Sequence, residues 1–234
     1  MKKCIFLLIL STWISFPGIG ISHQEQADRE VYMDMYRHEV GLPNHQNYDP
    51  KTYDGGTQNW AIVQDHRGIM YFGNNEGVLE FDGLTWRKIP MPNASAVLSL
   101  AVGKDNRIYI GAEGEFGYLA PSPINQGGEM RYVSLLPYVN EEDRQFGNVR
   151  KTLATSKGLY FQTPERLFRW PENQYPDSMQ LKNGKPSSSG ENPLKVWRPA
   201  NKFYLSFVVN DKFYVRDRNT GLMVMIEDSL QLTP

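Results

Sequence analysis

The chain has 234 residues, of which 40% are hydrophobic and 12% aromatic, so it can bury a globular core. Its 25 Lys and Arg residues balance 26 Asp and Glu residues without any basic run, which argues against a nucleic-acid-binding surface. The single cysteine, Cys4, lies at the N-terminus, so the rest of the chain has no means of forming disulfides.

Residues 1–22 have the features of a secretory signal peptide. A Met-Lys-Lys start is followed by the apolar run 4–16 and then by small residues. Because this run is too short to cross a bilayer as a helix, we expect cleavage after Gly20 or Ser22 and export to the periplasm. Residues 23–57 are then predicted to form an extended segment that leads into the folded domain.

A phrase centred on a tyrosine recurs along the rest of the chain. Its copies are anchored at Tyr71, Tyr109, Tyr160 and Tyr214, with spacings of 38, 51 and 54 residues. Short apolar runs bounded by Gly, Asn, Asp or Pro surround each tyrosine, which is typical of β-strands. Four strands in about 40–50 residues are typical of a β-propeller blade. We therefore predict an all-β fold, a β-propeller with about four blade repeats of four antiparallel strands. The predicted blades are residues 58–92, 95–137, 146–199 and 201–234.

The first two blades can be assigned strand by strand. The predicted strands are 61–64, 70–73, 78–81 and 86–89 in the first blade, and 98–102, 107–110, 117–119 and 131–135 in the second. Tight connections with positive φ are expected at Gly68, Gly73, Gly77 and Gly83. Residues 171–199 are rich in Pro, Ser, Asn and Gly, so they are predicted to be an exposed insertion, with Val196 and Trp197 in the last strand of the third blade.

A β-sandwich is the competing architecture, since it too has short strands separated by turns. A sandwich does not require the same Gly-x-x-Tyr phrase in register, so the repeats favour the propeller. Four blades are the low limit for closing a ring. An incomplete ring, as in a fragment of a longer product, is therefore the alternative to a closed one.

Equivalent loops of successive blades are expected to converge at one mouth of the propeller. Amide and carboxylate groups beside aromatic rings suit sugar hydroxyls and the apolar face of a pyranose. The alternative is that these aromatics fill gaps between blades and that the amides stabilise turns. The predicted ligand-binding residues in these loops are Asn59, Trp60, Asn74, Asn75, Glu113, Glu115 and Phe146.

Other motifs have simpler interpretations. Residues 111–117 lack the Lys-Ser/Thr ending of a phosphate loop, and residues 217–221 lack the Glu of a calcium loop, so both are predicted to be turns. Acids such as those at 141–143 are expected on a solvated surface. We expect no catalytic residue, metal or cofactor, although a glycosidase or lyase using Glu113 and Glu115 stays an alternative.

Several phrases of the sequence resemble the two-component-regulator propeller family. The matching stretches are 41–48, Tyr53, 58–60, 73–83 and 114–119. In that family a signal peptide precedes propeller blades, a three-tyrosine domain, a transmembrane helix and a cytoplasmic output module. The present sequence has only the first two of these parts, so kinase or transcription activity is not expected within it.

The resemblance implies a periplasmic sensor segment that binds a small molecule or an oligosaccharide. It also implies that contact with the membrane would require a C-terminal span missing from these residues, and that the full-length protein could form a homodimer. Nucleic-acid binding through this segment is not expected. An exported propeller enzyme acting on polysaccharides and a protein-binding scaffold are the alternatives.

Overall fold

The computed structural model describes residues 45–122, 128–171 and 192–233. The elements they form lie within the unit Tyr48–Pro234. The predicted signal peptide and much of the 171–199 insertion lie outside the described residues. Within the described residues, the only α-helix is the single turn α1 (Pro50–Tyr53), and no helix is long and apolar enough to cross a membrane.

The described strands form four sheets, and each sheet is an antiparallel meander of four strands in chain order. The first sheet contains β1 (Asn59–Gln64), β2 (Met70–Asn74), β3 (Gly77–Phe81) and β4 (Trp86–Ile89). The second contains β5 (Val97–Val102), β6 (Ile108–Ala112), β7 (Glu115–Pro121) and β8 (Met130–Ser134). The third contains β9 (Lys151–Thr155), β10 (Gly158–Gln162), β11 (Leu167–Trp170) and β12 (Lys195–Trp197). The fourth contains β13 (Phe203–Val209), β14 (Lys212–Asp217), β15 (Gly221–Ile226) and β16 (Ser229–Leu232).

These strands confirm the all-β prediction. In the first two sheets every strand begins and ends within two residues of its predicted position. Val196 and Trp197 lie in the last strand of the third sheet, as predicted. Short 3₁₀ turns occur in the connections, at Pro92–Ala94, Leu136–Tyr138 and Glu141–Asp143.

The four sheets are arranged as propeller blades rather than as two opposed layers. The first strands contact one another in succession, β1 with β5, β5 with β9, and β9 with β13. Each sheet therefore packs face to face on the next, with its first strand innermost. Among the described strands, this series of extensive contacts does not return from the fourth sheet to the first, so the ring is open.

Three apolar clusters fill the spaces between consecutive sheets. The most extensive lies between the second and third sheets. There Phe116 contacts Phe161 and Phe168, with ring centroids 4.7 and 4.8 Å apart, and all three rings are fully buried. Burial of one such side chain stabilises a fold by roughly 1.5–3 kcal/mol, so this cluster is a major source of stability.

The repeated tyrosine has the same place in each sheet. Tyr71, Tyr109 and Tyr160 lie on second strands, are at most 2% exposed, and belong to the clusters shared with the following sheet. In the fourth sheet Phe213 packs toward the third sheet, stacking on Tyr160 at 4.2 Å, so the neighbouring Tyr214 faces away. The sequence repeat thus marks the residue that each blade presents to the next.

The predicted glycine turns are confirmed at three of four positions. Gly68, Gly77 and Gly83 have φ of +87°, +128° and +97°. The prediction was wrong for Gly73, which lies inside β2 without positive φ. A Cβ at Gly73 would lie 2.9 Å from a methyl group of Val97, so this glycine allows β2 to approach the second sheet closely.

Candidate functional site

One end of the propeller collects equivalent turns from all four sheets. We call it the turn end and define it by residues 75–76, 113–114, 163–166 and 218–220, which connect the second and third strands. In each sheet a backbone hydrogen bond links the second strand or its turn to the segment that enters the first strand. The bonds are Asn75 N to Gln58 O (3.3 Å), Glu113 N to Ala96 O (3.1 Å), Arg150 N to Gln162 O (3.0 Å) and Arg218 N to Lys202 O (3.0 Å).

The seven predicted ligand-binding residues lie in or beside these turns and entering segments. Four of them form two side-chain contacts in the first sheet. The Nδ2 of Asn74 donates to Oδ1 of Asn59 at 2.7 Å, and the indole Nε1 of Trp60 donates to Oδ1 of Asn75 at 2.7 Å. The other three, Glu113, Glu115 and Phe146, belong to the second sheet and the segment that follows it.

Asn74 is fully buried, and its amide is used by the fold. Besides its bond to Asn59, it donates to Gly56 O at 2.7 Å and accepts from Gly56 N at 2.9 Å. It also accepts from Glu76 N at 3.0 Å, which fixes the β2–β3 turn. The expectation of a ligand-facing amide at Asn74 does not fit this burial.

Trp60 and Asn75 remain accessible. The Trp60 side chain is 54% exposed, and Asn75 is exposed beside it. The indole N–H is held by Asn75, which restrains the ring while much of it stays exposed to solvent. This pair has the composition expected for contact with a sugar ring.

Glu115 is the first residue of β7 and is only 6% exposed. One of its oxygens, Oε1, accepts hydrogen bonds from Phe116 N, Tyr132 Oη and Ser134 Oγ at 3.0, 3.0 and 2.8 Å. Burial raises the pKa of the Glu115 carboxyl, and the three donors only partly offset that effect. The carboxylate therefore joins β7 to β8 and is not a loop group presented to a ligand.

Phe146 is also a structural residue rather than an exposed one. Its ring is fully buried and contacts Phe116 and Phe168 with centroids 5.6 and 5.0 Å apart. Beside it, Gly114 N donates to Gly147 O at 3.0 Å, and exposed Glu113 pairs with Asn148 through a β-bridge. Phe146 thus anchors the segment that brings residues 147–148 against the β6–β7 turn.

A buried charge cluster that was not predicted from the sequence lies near the turn end. Asp143 was expected among solvated acids, but it is 2% exposed and accepts from Nε of Arg166 at 2.6 Å. Arg198 donates to both Asp143 oxygens, at 3.0 and 2.9 Å, and to Glu142 at 2.8 Å. The side-chain hydrogen bonds with Glu142 and Asp143 raise the pKa of Arg198. No signal in a single sequence marks this pairing, because Asp143 and Arg198 are 55 positions apart.

The prediction that residues 217–221 form a turn is confirmed. Asp217 is buried and accepts from the backbone N–H groups of Asn219, Thr220 and Asn201 at 3.0, 3.0 and 3.2 Å. Burial alone would raise the pKa of Asp217, but these backbone donors outweigh it and lower the pKa. The carboxylate is used to cap the turn.

A pocket opens at the turn end between the third and fourth sheets, with a volume of about 170 Å³. None of its lining residues was among the seven predicted ligand-binding residues. Nothing in the repeat phrase distinguishes them, since they come from two blades and lie outside the tyrosine-centred strands. The pocket is lined by Arg150, Pro164, Lys202, Phe203, Tyr204 and Arg218.

No family model and no curated protein matches this sequence. Among solved structures, a streptogramin B lyase is 11% identical with a TM-score of 0.51, over 81% of this chain and 58% of the lyase. The extracellular domain of a protein described as a hybrid two-component system from B. thetaiotaomicron is 18% identical with a TM-score of 0.46. That match covers 74% of this chain and 21% of the domain. A virginiamycin B lyase from Staphylococcus aureus, solved with quinupristin, is 11% identical with a TM-score of 0.49, over 80% of this chain and 58% of that protein.

The chain spans between about a fifth and three fifths of the length of these solved structures. At such low identities the similarity concerns the fold. The match to the streptogramin B lyase agrees with the four-sheet propeller described above.

Proposed function

We propose that this chain is the periplasmic ligand-sensing segment of a bacterial two-component type signalling protein and that its ligand is an oligosaccharide. The propeller fold and the family resemblance of residues 41–48, 58–60 and 73–83 support this class. The observation that carries the binding proposal is the pocket of about 170 Å³ at the turn end, where turns of neighbouring blades meet.

The chemistry of the turn end suits a sugar. Tyr204, 73% exposed, lines the pocket, and Trp60 presents a second exposed ring in the first sheet. Aromatic planes of this kind pack on the apolar face of a pyranose. Polar groups beside them, such as the Asn75 amide, supply hydrogen bonds to hydroxyl groups.

Binding without turnover is the proposed activity. A glycosidase needs two carboxyl groups that both reach the scissile bond. Of the two acids first considered, Glu113 is exposed, but Glu115 is buried and its Oε1 is occupied by three donors. This arrangement favours a binding role over catalysis by that pair.

A sensor must also bind its ligand more tightly in one receptor state than in the other, since equal affinity shifts no equilibrium. In the full-length protein we propose that ligand binding by this segment biases such an equilibrium, through a membrane span and an output module outside these residues. A homodimer of the full-length protein would give the two states a shared interface.

Calorimetric titration of the purified chain with neutral and acidic oligosaccharides tests the proposal, with chromatography of the recovered glycan to detect cleavage. We expect at least one glycan to bind and to be recovered intact. Tyr204→Ala should weaken that binding, whereas Leu84→Ala, at a side chain 92% exposed in the β3–β4 turn, should not. Cleavage of the bound glycan, or no binding across the series, would overturn the proposal.

The signalling part needs a separate measurement in cells that carry the gene. Transcription induced by the bound glycan should disappear when the gene is deleted. A response that survives deletion would leave a binding protein without a sensor role.

A further inference from the structure

The pocket between the third and fourth sheets is framed by backbone hydrogen bonds that fix the positions of its charged residues. Phe203 N donates to Pro164 O at 2.9 Å, which joins the β10–β11 turn to the start of β13. In the fourth sheet Arg218 N donates to Lys202 O at 3.0 Å. In the third sheet Arg150 N donates to Gln162 O at 3.0 Å. Three cationic side chains therefore extend from restrained backbone around one small opening.

The fold neutralises other arginines in this region but not these. Arg166 and Arg198 share the carboxylate of Asp143. By contrast, no ion pair joins the side chain of Arg150 or Arg218 to any carboxylate of the described residues. Lys202 has only a long contact, 3.7 Å, to Glu165. A chain with a net charge of −1 thus concentrates uncompensated positive charge at one pocket.

We propose, on the basis of the function proposed above, that this pocket binds the carboxylate of an acidic sugar residue, a uronate, within the oligosaccharide. The guanidinium groups of Arg150 and Arg218 would hold the carboxylate, because a planar guanidinium matches its two oxygens. The exposed ring of Tyr204 would pack on the same sugar ring. The pocket, smaller than the ~300–1,000 Å³ typical of drug-sized ligands, suits one sugar residue rather than a whole oligosaccharide.

A pair of ligands that differ only in charge tests this inference. The purified full chain is titrated by calorimetry with oligogalacturonates and oligoglucuronates of three residues and with their methyl esters. The acid should bind at least about tenfold more tightly than its ester, the difference expected for one charge-assisted hydrogen bond. Its affinity should also fall as salt rises from 50 to 300 mM, while binding of the ester should change little.

Matched variants locate the effect. Arg150→Gln and Arg218→Gln should each weaken binding of the acid by about tenfold and bring it close to that of the ester. Arg216→Gln is the control, because it removes the same charge from an exposed position two residues from Arg218. Equal thermal unfolding midpoints of the three variants would establish that the pocket is folded in each.

The outcomes distinguish a failure of the uronate inference from a failure of the proposed oligosaccharide binding. If neutral glycans or the esters bind as tightly as the acids, the uronate inference is wrong, while oligosaccharide binding by this segment stands. If the acids bind but neither Arg150→Gln nor Arg218→Gln weakens them, the carboxylate is recognised elsewhere and the inference is wrong. If no glycan binds, both the inference and the proposed function fail.

Discussion

Arg166 donates from Nε to the carboxylate of Asp143 at 2.6 Å, and this contact joins the 3₁₀ turn 141–143 to the β10–β11 turn of the third sheet. Arg198, which follows β12, donates to both oxygens of the same carboxylate. One buried acid therefore ties the segment that leaves the second sheet to the residue just before β11 and to the residue just after β12, which lie at the same end of the third sheet.

Asp143→Ala should lower the free energy of unfolding by about 2–3 kcal/mol. The substitution leaves the Arg166 guanidinium, with a side chain 20% exposed, without its carboxylate, and breaking a buried pair costs more than a surface one. Urea unfolding followed by tryptophan fluorescence measures the change.

Glu142→Gln is the matched control. Its side chain is 71% exposed, and its contact with Arg198 is a surface ion pair, for which about 0–1 kcal/mol is expected. Equal losses of unfolding free energy in the two variants would show that burial of Asp143 does not increase its contribution to stability.

The fold could be predicted from the sequence because its signal is local. Each blade repeats the same order of short apolar runs and glycine turns within about 40–50 residues, and the tyrosine of the first three copies faces the next blade. Because each blade packs on the next with the same order of strands and turns, one sequence repeat corresponds to one blade.

Much of the site could not be predicted because its contacts are distant in sequence or its residues are ambiguous in type. An acid in the run 141–143 is typical of a surface, and only the fold brings Arg166 and Arg198 to it. Phe146 was expected to face a ligand beside Gly147 and Asn148, but an aromatic residue next to a turn is equally suited to the core. The pocket residues Arg150 and Arg218 belong to different blades, so no local spacing joins them.

Asn74→Ala should destabilise the protein by about 2–3 kcal/mol. It removes the partners of Gly56 N, Gly56 O, the Asn59 side chain and Glu76 N, and each buried group left unpaired costs roughly 1–3 kcal/mol before relaxation and water entry offset part of the loss. The difference in urea midpoint between the variant and the parent protein measures it.

Asn75→Ala tests the specificity of that loss. It removes one hydrogen bond, to an indole that is already half exposed, so a change of about 0.5 kcal/mol is expected. A loss as large as that of Asn74→Ala would contradict the assignment of Asn74 as the structural amide and Asn75 as the accessible one.

Gly158→Ala should strongly destabilise the third sheet. Gly158 begins β10 with φ of +128°, and a Cβ there would overlap the carbonyl oxygen of Trp170 on the neighbouring strand. Backbone strain and overlap together should cost about 3 kcal/mol or more. Gly83 has φ of +97°, and nothing lies within 4 Å of a Cβ added there. Gly83→Ala should therefore lower the free energy of unfolding by only about 1–2 kcal/mol. Thermal unfolding by far-UV circular dichroism compares the two, and similar midpoints would rule out the steric argument.

Glu115→Gln should change how stability depends on pH. Because burial raises the pKa of Glu115 in the folded protein above its unfolded value of about 4.3, the native state binds more protons in the interval between the two. This group therefore contributes stability that is present below pH ~4 and is lost as pH rises through the folded pKa. A glutamine at this position can still accept from Tyr132 and Ser134 but does not titrate, so the variant does not lose this stability as pH rises. The unfolding free energy of Glu115→Gln should accordingly rise relative to the parent protein as pH increases from 4 to 7.

Glu115→Ala separates the charge effect from the hydrogen bonds. It leaves Phe116 N, Tyr132 Oη and Ser134 Oγ without their common acceptor, so we expect a loss of about 2–4 kcal/mol at both pH 4 and pH 7. If Glu115→Gln followed the parent protein at every pH, the carboxyl would titrate alike in the folded and unfolded states. The buried Glu115 would then contribute nothing to the pH dependence of the free energy of unfolding.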